Sequence, residues 1–141
     1  MLSHLEIIKE AKEKNLPHVL VFEDDVTFPL DFHDKLNKCI SELPDDWDLF
    51  YLGGTNKAHP SPHSENVNRC YGAWGTFAYI IRESVYDLFI EELNRQTLSA
   101  DGHFIKISGL INCYIAKKKI LSHSVGYSYI TNTYRDITWL Q

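Results

Sequence analysis

Cysteine is scarce in this chain. Cys39, Cys70 and Cys113 stand far apart and odd in number, with no CxxC pair and no zinc-ligand spacing, which excludes a small disulfide-stapled fold and a structural zinc site. They are expected as reduced thiols packed as small hydrophobes. Long apolar runs are absent as well: nothing approaches the ~20 residues that a bilayer-spanning helix needs. The opening MLSHLEIIKEAKEK mixes charged and apolar residues, unlike the basic start and apolar centre of a secretion signal, so the expectation is a cytoplasmic chain with no membrane span. Positive charge is in short supply too. The 14 Lys and Arg against 19 Asp and Glu leave a net charge of −5, the wrong balance for a main partner made of nucleic-acid backbone. There is no internal repeat, low-complexity tract or linker.

What remains is an ordinary globular mixture, 44% hydrophobic and 23% charged over 141 residues, read as one domain over 1–141. Ser3 and Glu6 fit a capping box for a first helix that Pro17 stops. His18-Val19-Leu20-Val21-Phe22 is apolar on successive residues, as in a central strand covered on both faces. Asp31 caps a second helix whose inner face is Phe32, Leu36, Cys39, Ile40 and Leu43. Asp48 to Leu52 forms the next strand, closed by Gly53-Gly54. An aperiodic loop follows over 55–68. A strand is expected over 76–81, a helix from Ser84, another from Asp101, and short strands over 112–116 and 119–121. The order of helices and strands is that of an α/β fold.

The apolar run 18–22 stops at three acids, Glu23-Asp24-Asp25. Adjacent carboxylates repel unless solvent or a cation screens them. Hard oxygen ligands of this kind suit Mn²⁺ or Mg²⁺, which commonly bridge protein carboxylates to a diphosphate. In open α/β sheets ligands bind beyond the carboxyl ends of the strands, where these acids would fall. The other reading is that Asp24 and Asp25 are solvated turn residues. Trp74, flanked by Gly72-Ala73 and Gly75-Thr76, either stacks on a sugar face or packs in the core. His59 and His63 in the loop read as solvated, and Lys117-Lys118-Lys119 as a solvated turn.

In order along the chain, LSHLEIIKEAKEKNLPHVLVFEDDV, DWDLFYLGG and GTFAYIIRES resemble glycosyltransferase family 25, which includes lipopolysaccharide and procollagen galactosyltransferases. The resemblance covers residues 2–95 and implies a GT-A-like mixed sheet flanked by helices. It also implies transfer of a hexose from a UDP-sugar donor to a glycan or protein acceptor, with inversion. By this match Asp25 is the metal ligand for Mn²⁺ or Mg²⁺, while Glu23 and Asp24 bind the donor; Trp74, if it stacks on a sugar, would be a further donor contact. Asp101 is the candidate catalytic base, or else a helix cap. His123 completes the metal shell, or else is a packing residue. His4, in the Leu-Ser-His-Leu match, contacts the site or packs the helix.

Relatives of this kind begin with a further strand and helix whose Arg residues hold the nucleotide. Here Met1 directly precedes the Leu-Ser-His-Leu helix, so the resemblance implies a truncated GT-A-like domain. The late family motif is matched only by Thr133-Tyr134-Arg135-Asp136-Ile137. Two functional classes follow: a metal-dependent glycosyltransferase, or a partial domain that binds sugar, nucleotide or a partner protein without catalysis. A sheet missing its first strand is further expected to form a homo-oligomer through Leu5, Ile8 and Val19.

Overall fold

The computed structural model describes residues 2–123, 126–128 and 133–135, with His123 and the last two segments described by backbone alone. The elements run α1 (Leu2–Glu13), β1 (His18–Phe22), β2 (Val26–Thr27), α2 (Phe32–Ser41), β3 (Leu49–Tyr51), β4 (Thr55–Asn56), β5 (Ser61–Pro62), β6 (Val67–Arg69) and β7 (Ala73–Trp74). They continue as β8 (Ala78–Arg82), a 3-10 turn (Glu83–Val85), α3 (Tyr86–Asn94), α4 (Ala100–Ser108), β9 (Cys113–Ala116), β10 (Ser122–His123), β11 (Gly126–Ser128) and β12 (Thr133–Arg135). Six strands form the main sheet in the order β1-β8-β3-β9-β6-β5. The β3–β9 pairing is parallel and the others are antiparallel. The fold is therefore mixed α/β, a mostly antiparallel sheet flanked by helices.

Alternation along the central strands produces two cores. Leu49 and Tyr51 of β3, Tyr79 and Ile81 of β8, and Cys113 and Ile115 of β9 face Leu5, Ile8, Phe89, Leu93, Phe104 and Ile107 from α1, α3 and α4. The intervening residues Phe50, Ala78, Ile80, Tyr114 and Ala116 face Phe32, Leu36 and Cys39 of α2, together with Ile120 and Leu121. Period-2 burial on both sides is what a sheet between two apolar layers demands. Burial of a Leu, Ile or Phe side chain contributes about 1.5–3 kcal/mol.

Several expectations change. The strand 18–22 lies at the edge of the sheet rather than at its centre, and Leu20 is 37% exposed. The continuously apolar central strand is β3, whose three residues are fully buried. Helix α1 starts at Leu2, so Ser3 is inside it, and Glu6 pairs with Lys9 at 2.9 Å instead of closing a capping box. Its end is a left-handed turn at Asn15 (φ 53°), with Leu16 N–H donating to the Ala11 carbonyl at 3.0 Å, a common helix terminus that Asn tolerates. Asp31 makes no side-chain cap; it pairs with Lys35 at 3.0 Å, and Ile40 is 41% exposed. Leu5 and Ile8 are covered by the chain's own α3 and sheet, not offered to a second copy. The 55–68 loop contains three short strands, and its end is fixed by Glu42, whose carboxylate accepts from the Asn66 amides at 2.8 and 2.6 Å. The cysteines are free and buried, as expected.

A buried polar joint connects α3 to α4. Leu98 N–H donates to His103 Nε2 (3.1 Å), so the neutral ring carries its proton on Nδ1 and donates to Glu92 Oε1 at 3.0 Å. Lys106 Nζ donates to the same oxygen at 2.7 Å. Lys106 and then His103 hold the Glu92 carboxyl below its ordinary value. Its folded pKa is depressed, so its contribution is present above the unfolded value of 4.5 and is lost as pH falls through the folded one. Glu92→Gln should lower stability by about 1–3 kcal/mol at neutral pH. In urea melts at several pH values, that difference should shrink steadily below the ordinary carboxylate range.

Candidate functional site

Strands β1, β3 and β9 run in one direction, because β8 is antiparallel to both β1 and β3, and β9 is parallel to β3. Their carboxyl ends open on one side of the sheet. Glu23 follows β1, Gly53-Gly54 follow β3, and Phe77 precedes β8 between them. Glu23 N–H donates to the Phe77 carbonyl (2.8 Å) and Leu52 N–H to that of Ala78 (3.1 Å). The chain thus brings the acid turn and two glycine segments to the expected end of the sheet.

The glycines are there for close approach. Gly54 has φ +136°, and a Cβ on it would stand 2.8 Å from the Trp74 carbonyl oxygen. Gly75 has φ +101°, and its Cβ would meet Phe77 Cε1 at 2.8 Å, while one on Gly53 would meet Phe77 Cζ at 2.9 Å. One aromatic ring therefore sits against both segments, which also pair as β4 and β7 through Thr55 and Trp74.

Asp101 reaches this loop from α4. Its Oδ1 accepts from Gly75 N–H at 3.1 Å and Thr76 N–H at 2.9 Å. It does not cap the helix: Ser99 does, its hydroxyl accepting from Gly102 N–H at 3.2 Å. The Ser99 cap is a local signal, three residues from the amide that it takes, whereas the Asp101 clamp joins residues distant in sequence.

His4 both packs and contacts the site. Its Nδ1 lies 3.0 Å from the Tyr79 hydroxyl and its Nε2 lies 3.4 Å from Glu23 Oε1. Burial first, and the Glu23 carboxylate second, push the Tyr79 phenol well up, so it stays protonated and can donate. A neutral His4 accepting at Nδ1 carries its hydrogen on Nε2, facing Glu23. Tyr79, which the sequence suggested only as core, thus supports the first acid of the turn through His4.

Asp24 and Asp25 occupy the exposed turn between β1 and β2. Backbone register sets His123 of β10 opposite Val26, next to Asp25 in sequence; its side chain lies outside the described residues, as do Asp136 and Ile137 of the late motif match. Trp74 is 47% exposed and so is not core. His59 is exposed, and His63 is held by the Glu42 carbonyl at 3.0 Å. Among the described residues no group of three or more His, Cys, Asp or Glu can hold a metal by itself. Exposed carboxylates of this kind fit Mg²⁺ or Mn²⁺ shared with a ligand's phosphates, a mode needing only one or two protein carboxylates. Among the described residues no helix is long and apolar enough to cross a membrane.

If the left-handed glycine at 54 sets the loop, Gly54→Ala should destabilise the fold by about 1–3 kcal/mol, since the clashing atom is backbone and cannot rotate away. Ala at Gly109, where a Cβ meets nothing within 4 Å, should be close to neutral in the same thermal melts.

The model of glycosyltransferase family 25 (LPS biosynthesis protein) matches residues 1–71. Procollagen galactosyltransferase 1-A of Xenopus laevis is 46% identical over 89 residues, covering 57% of this chain and 14% of that protein. Procollagen galactosyltransferase 2 of Homo sapiens is 33% identical over 89 residues, covering 57% and 14%. Inactive glycosyltransferase 25 family member 3 of Homo sapiens is 35% identical over 92 residues, covering 57% and 15%. The chain spans about a seventh of the length of these relatives. The family match takes in half of the 141 residues, running from α1 through the acid turn and the first glycine segment; the chain belongs to glycosyltransferase family 25.

Proposed function

We propose that this chain carries the donor-side part of a GT-A-like, metal-dependent, inverting hexosyltransferase using UDP-galactose or UDP-glucose. The observation that carries the reading is the convergence of Glu23-Asp24-Asp25 with both glycine segments at the carboxyl ends of β1 and β3. In this reading Asp25, with His123, holds Mn²⁺ or Mg²⁺, Asp24 and Glu23 face the donor's sugar and ribose, and Trp74 offers an exposed ring to a sugar face. A bound divalent cation would supply charge neutralisation at the leaving diphosphate.

The chain's own groups divide the remaining work. His4, braced by Tyr79, fixes Glu23. Gly54 and Gly75 let the two loop segments and the Phe77 ring pack closely without a Cβ in the way, which holds the loop beside the acid turn. Asp101 holds Gly75 and Thr76 by Oδ1 and takes the proton of an acceptor hydroxyl, on a glycan or hydroxylysine-type side chain, through Oδ2. A second reading is favoured by relatives whose names mark them as inactive: the domain then binds sugar nucleotide without turnover.

Mn²⁺ with UDP should raise the melting temperature, and Asp25→Asn should remove most of the rise. Ligand at ~100 times its dissociation constant adds about 2.7 kcal/mol. Stabilisation with UDP-sugar hydrolysis or transfer supports the catalytic reading, and stabilisation without either supports the binding one. No shift with millimolar metal and nucleotide would remove the donor site from the acid turn.

A further inference from the structure

On the face of the sheet covered by α1, α3 and α4, two cysteines meet. The antiparallel register of β6 and β9 pairs Arg69 with Tyr114, so the next step along sets Cys70 opposite Cys113. Cys70 N–H donates to the Cys113 carbonyl at 2.9 Å. Opposed residues of an antiparallel pair point to the same face with Cα atoms about 4.5–5.5 Å apart, inside the ~4.4–6.8 Å range that a disulfide spans; the ladder ends at this step, where Cys113 N–H turns to the Ile111 carbonyl at 3.0 Å. Both side chains belong to one core cluster and are fully buried, and the Cys70 thiol also donates to Asn56 Oδ1 at 3.8 Å. Cys39 packs in the other cluster, across the sheet, with its thiol donating to the Asn66 carbonyl at 3.8 Å.

We propose that Cys70 and Cys113 are a redox-active dithiol that hydrogen peroxide closes to an intrachain disulfide. The inference is independent of the sugar-nucleotide reading. Cys70 is the attacking sulfur: Gly72 N–H donates to its Sγ at 3.4 Å and would stabilise a thiolate there, and its pKa is held below the ordinary value. Burial pushes Cys113 well up, and pushes Cys39 up to about 11, so both remain thiols. The Cys70 thiolate attacks one peroxide oxygen, the O–O bond breaks, and hydroxide leaves to become water. The Cys113 sulfur then attacks the sulfur of the Cys70 sulfenic acid, the S–O bond breaks, and the departing hydroxide takes the Cys113 proton as a second water. Two thiols lose two electrons and two protons, and one peroxide becomes two waters.

Access is through the sheet's far edge. Strand β5, the neighbour of β6, is two residues long and exposed, and short outer pairings open most readily. The bond would bear on the site, because Gly72 N–H donates to Cys70 Sγ at 3.4 Å and Gly72 opens the segment that carries Trp74, Gly75 and Thr76.

The test is hydrogen peroxide on the unmutated chain, followed by denaturation, thiol titration and mass mapping. Reactive thiols should fall from three to one, the mass should fall by two hydrogen atoms, and peptides containing Cys70 and Cys113 should be joined until a dithiol reductant parts them. Cys39→Ser should close the same bond. Three persisting thiols, a bond that includes Cys39, or oxygen added at Cys70 with no link to Cys113 would each overturn the proposal.

Discussion

Asp101 Oδ1 accepts two consecutive amides, Gly75 N–H and Thr76 N–H, and much of the site's geometry passes through that oxygen. Charged acceptors make stronger hydrogen bonds than neutral ones, and two donors on one oxygen fix the direction of the backbone between them. The next residue is Phe77. Its carbonyl takes Glu23 N–H, and its ring lies against Gly53 and Gly75. A carboxylate on α4 thus positions the start of β8, and the start of β8 positions both the acid turn and the glycines after β3. The arrangement is a relay of short contacts through rigid elements, with β3 buried at its centre.

A second support comes through the α1 side of the sheet. His4 stands between Tyr79 and Glu23, and its ring also meets Phe104 edge-on at 6.0 Å between centroids. Phe104 belongs to α4, the helix of Asp101. The acid turn and the glycine loop are therefore referenced to the same helix, from its core face through Phe104 and from its first turn through Asp101. The Glu92–His103–Lys106 joint fixes that helix to α3 in turn. Positioning of a few atoms at the sheet's end thus depends on a polar chain that crosses the protein.

How much of this was legible in the sequence varied with the range of the interactions concerned. The acid turn after 18–22, the glycines after 48–52 and the helices expected from Asp31 and Ser84, observed as Phe32–Ser41 and Tyr86–Asn94, follow from local periodicity and turn chemistry, which act over a few residues. The rank of strands in the sheet does not. Val19 to Phe22 looks as apolar as Leu49 to Tyr51, yet β1 has one described neighbour in the main sheet and β3 has two, since pairing depends on which strand the chain returns to. Asp101 looked like a helix cap because an acid near a helix start usually is one; Ser99 took that role two residues earlier. The Tyr79–His4–Glu23 chain was hidden for the same reason, as its members are separated by up to 75 residues.

The account's central claim is that Asp101 holds the glycine loop in register with the acid turn, and amide hydrogen exchange followed by NMR measures it at the atoms concerned. Gly75 and Thr76 N–H should be strongly protected. In Asp101→Ala that protection should be lost, with Glu23 N–H exchanging faster and the amides of β3 and β9 unchanged. Rapid exchange of Gly75 and Thr76 N–H in the unmutated chain, or protection that survives in Asp101→Ala, would contradict it.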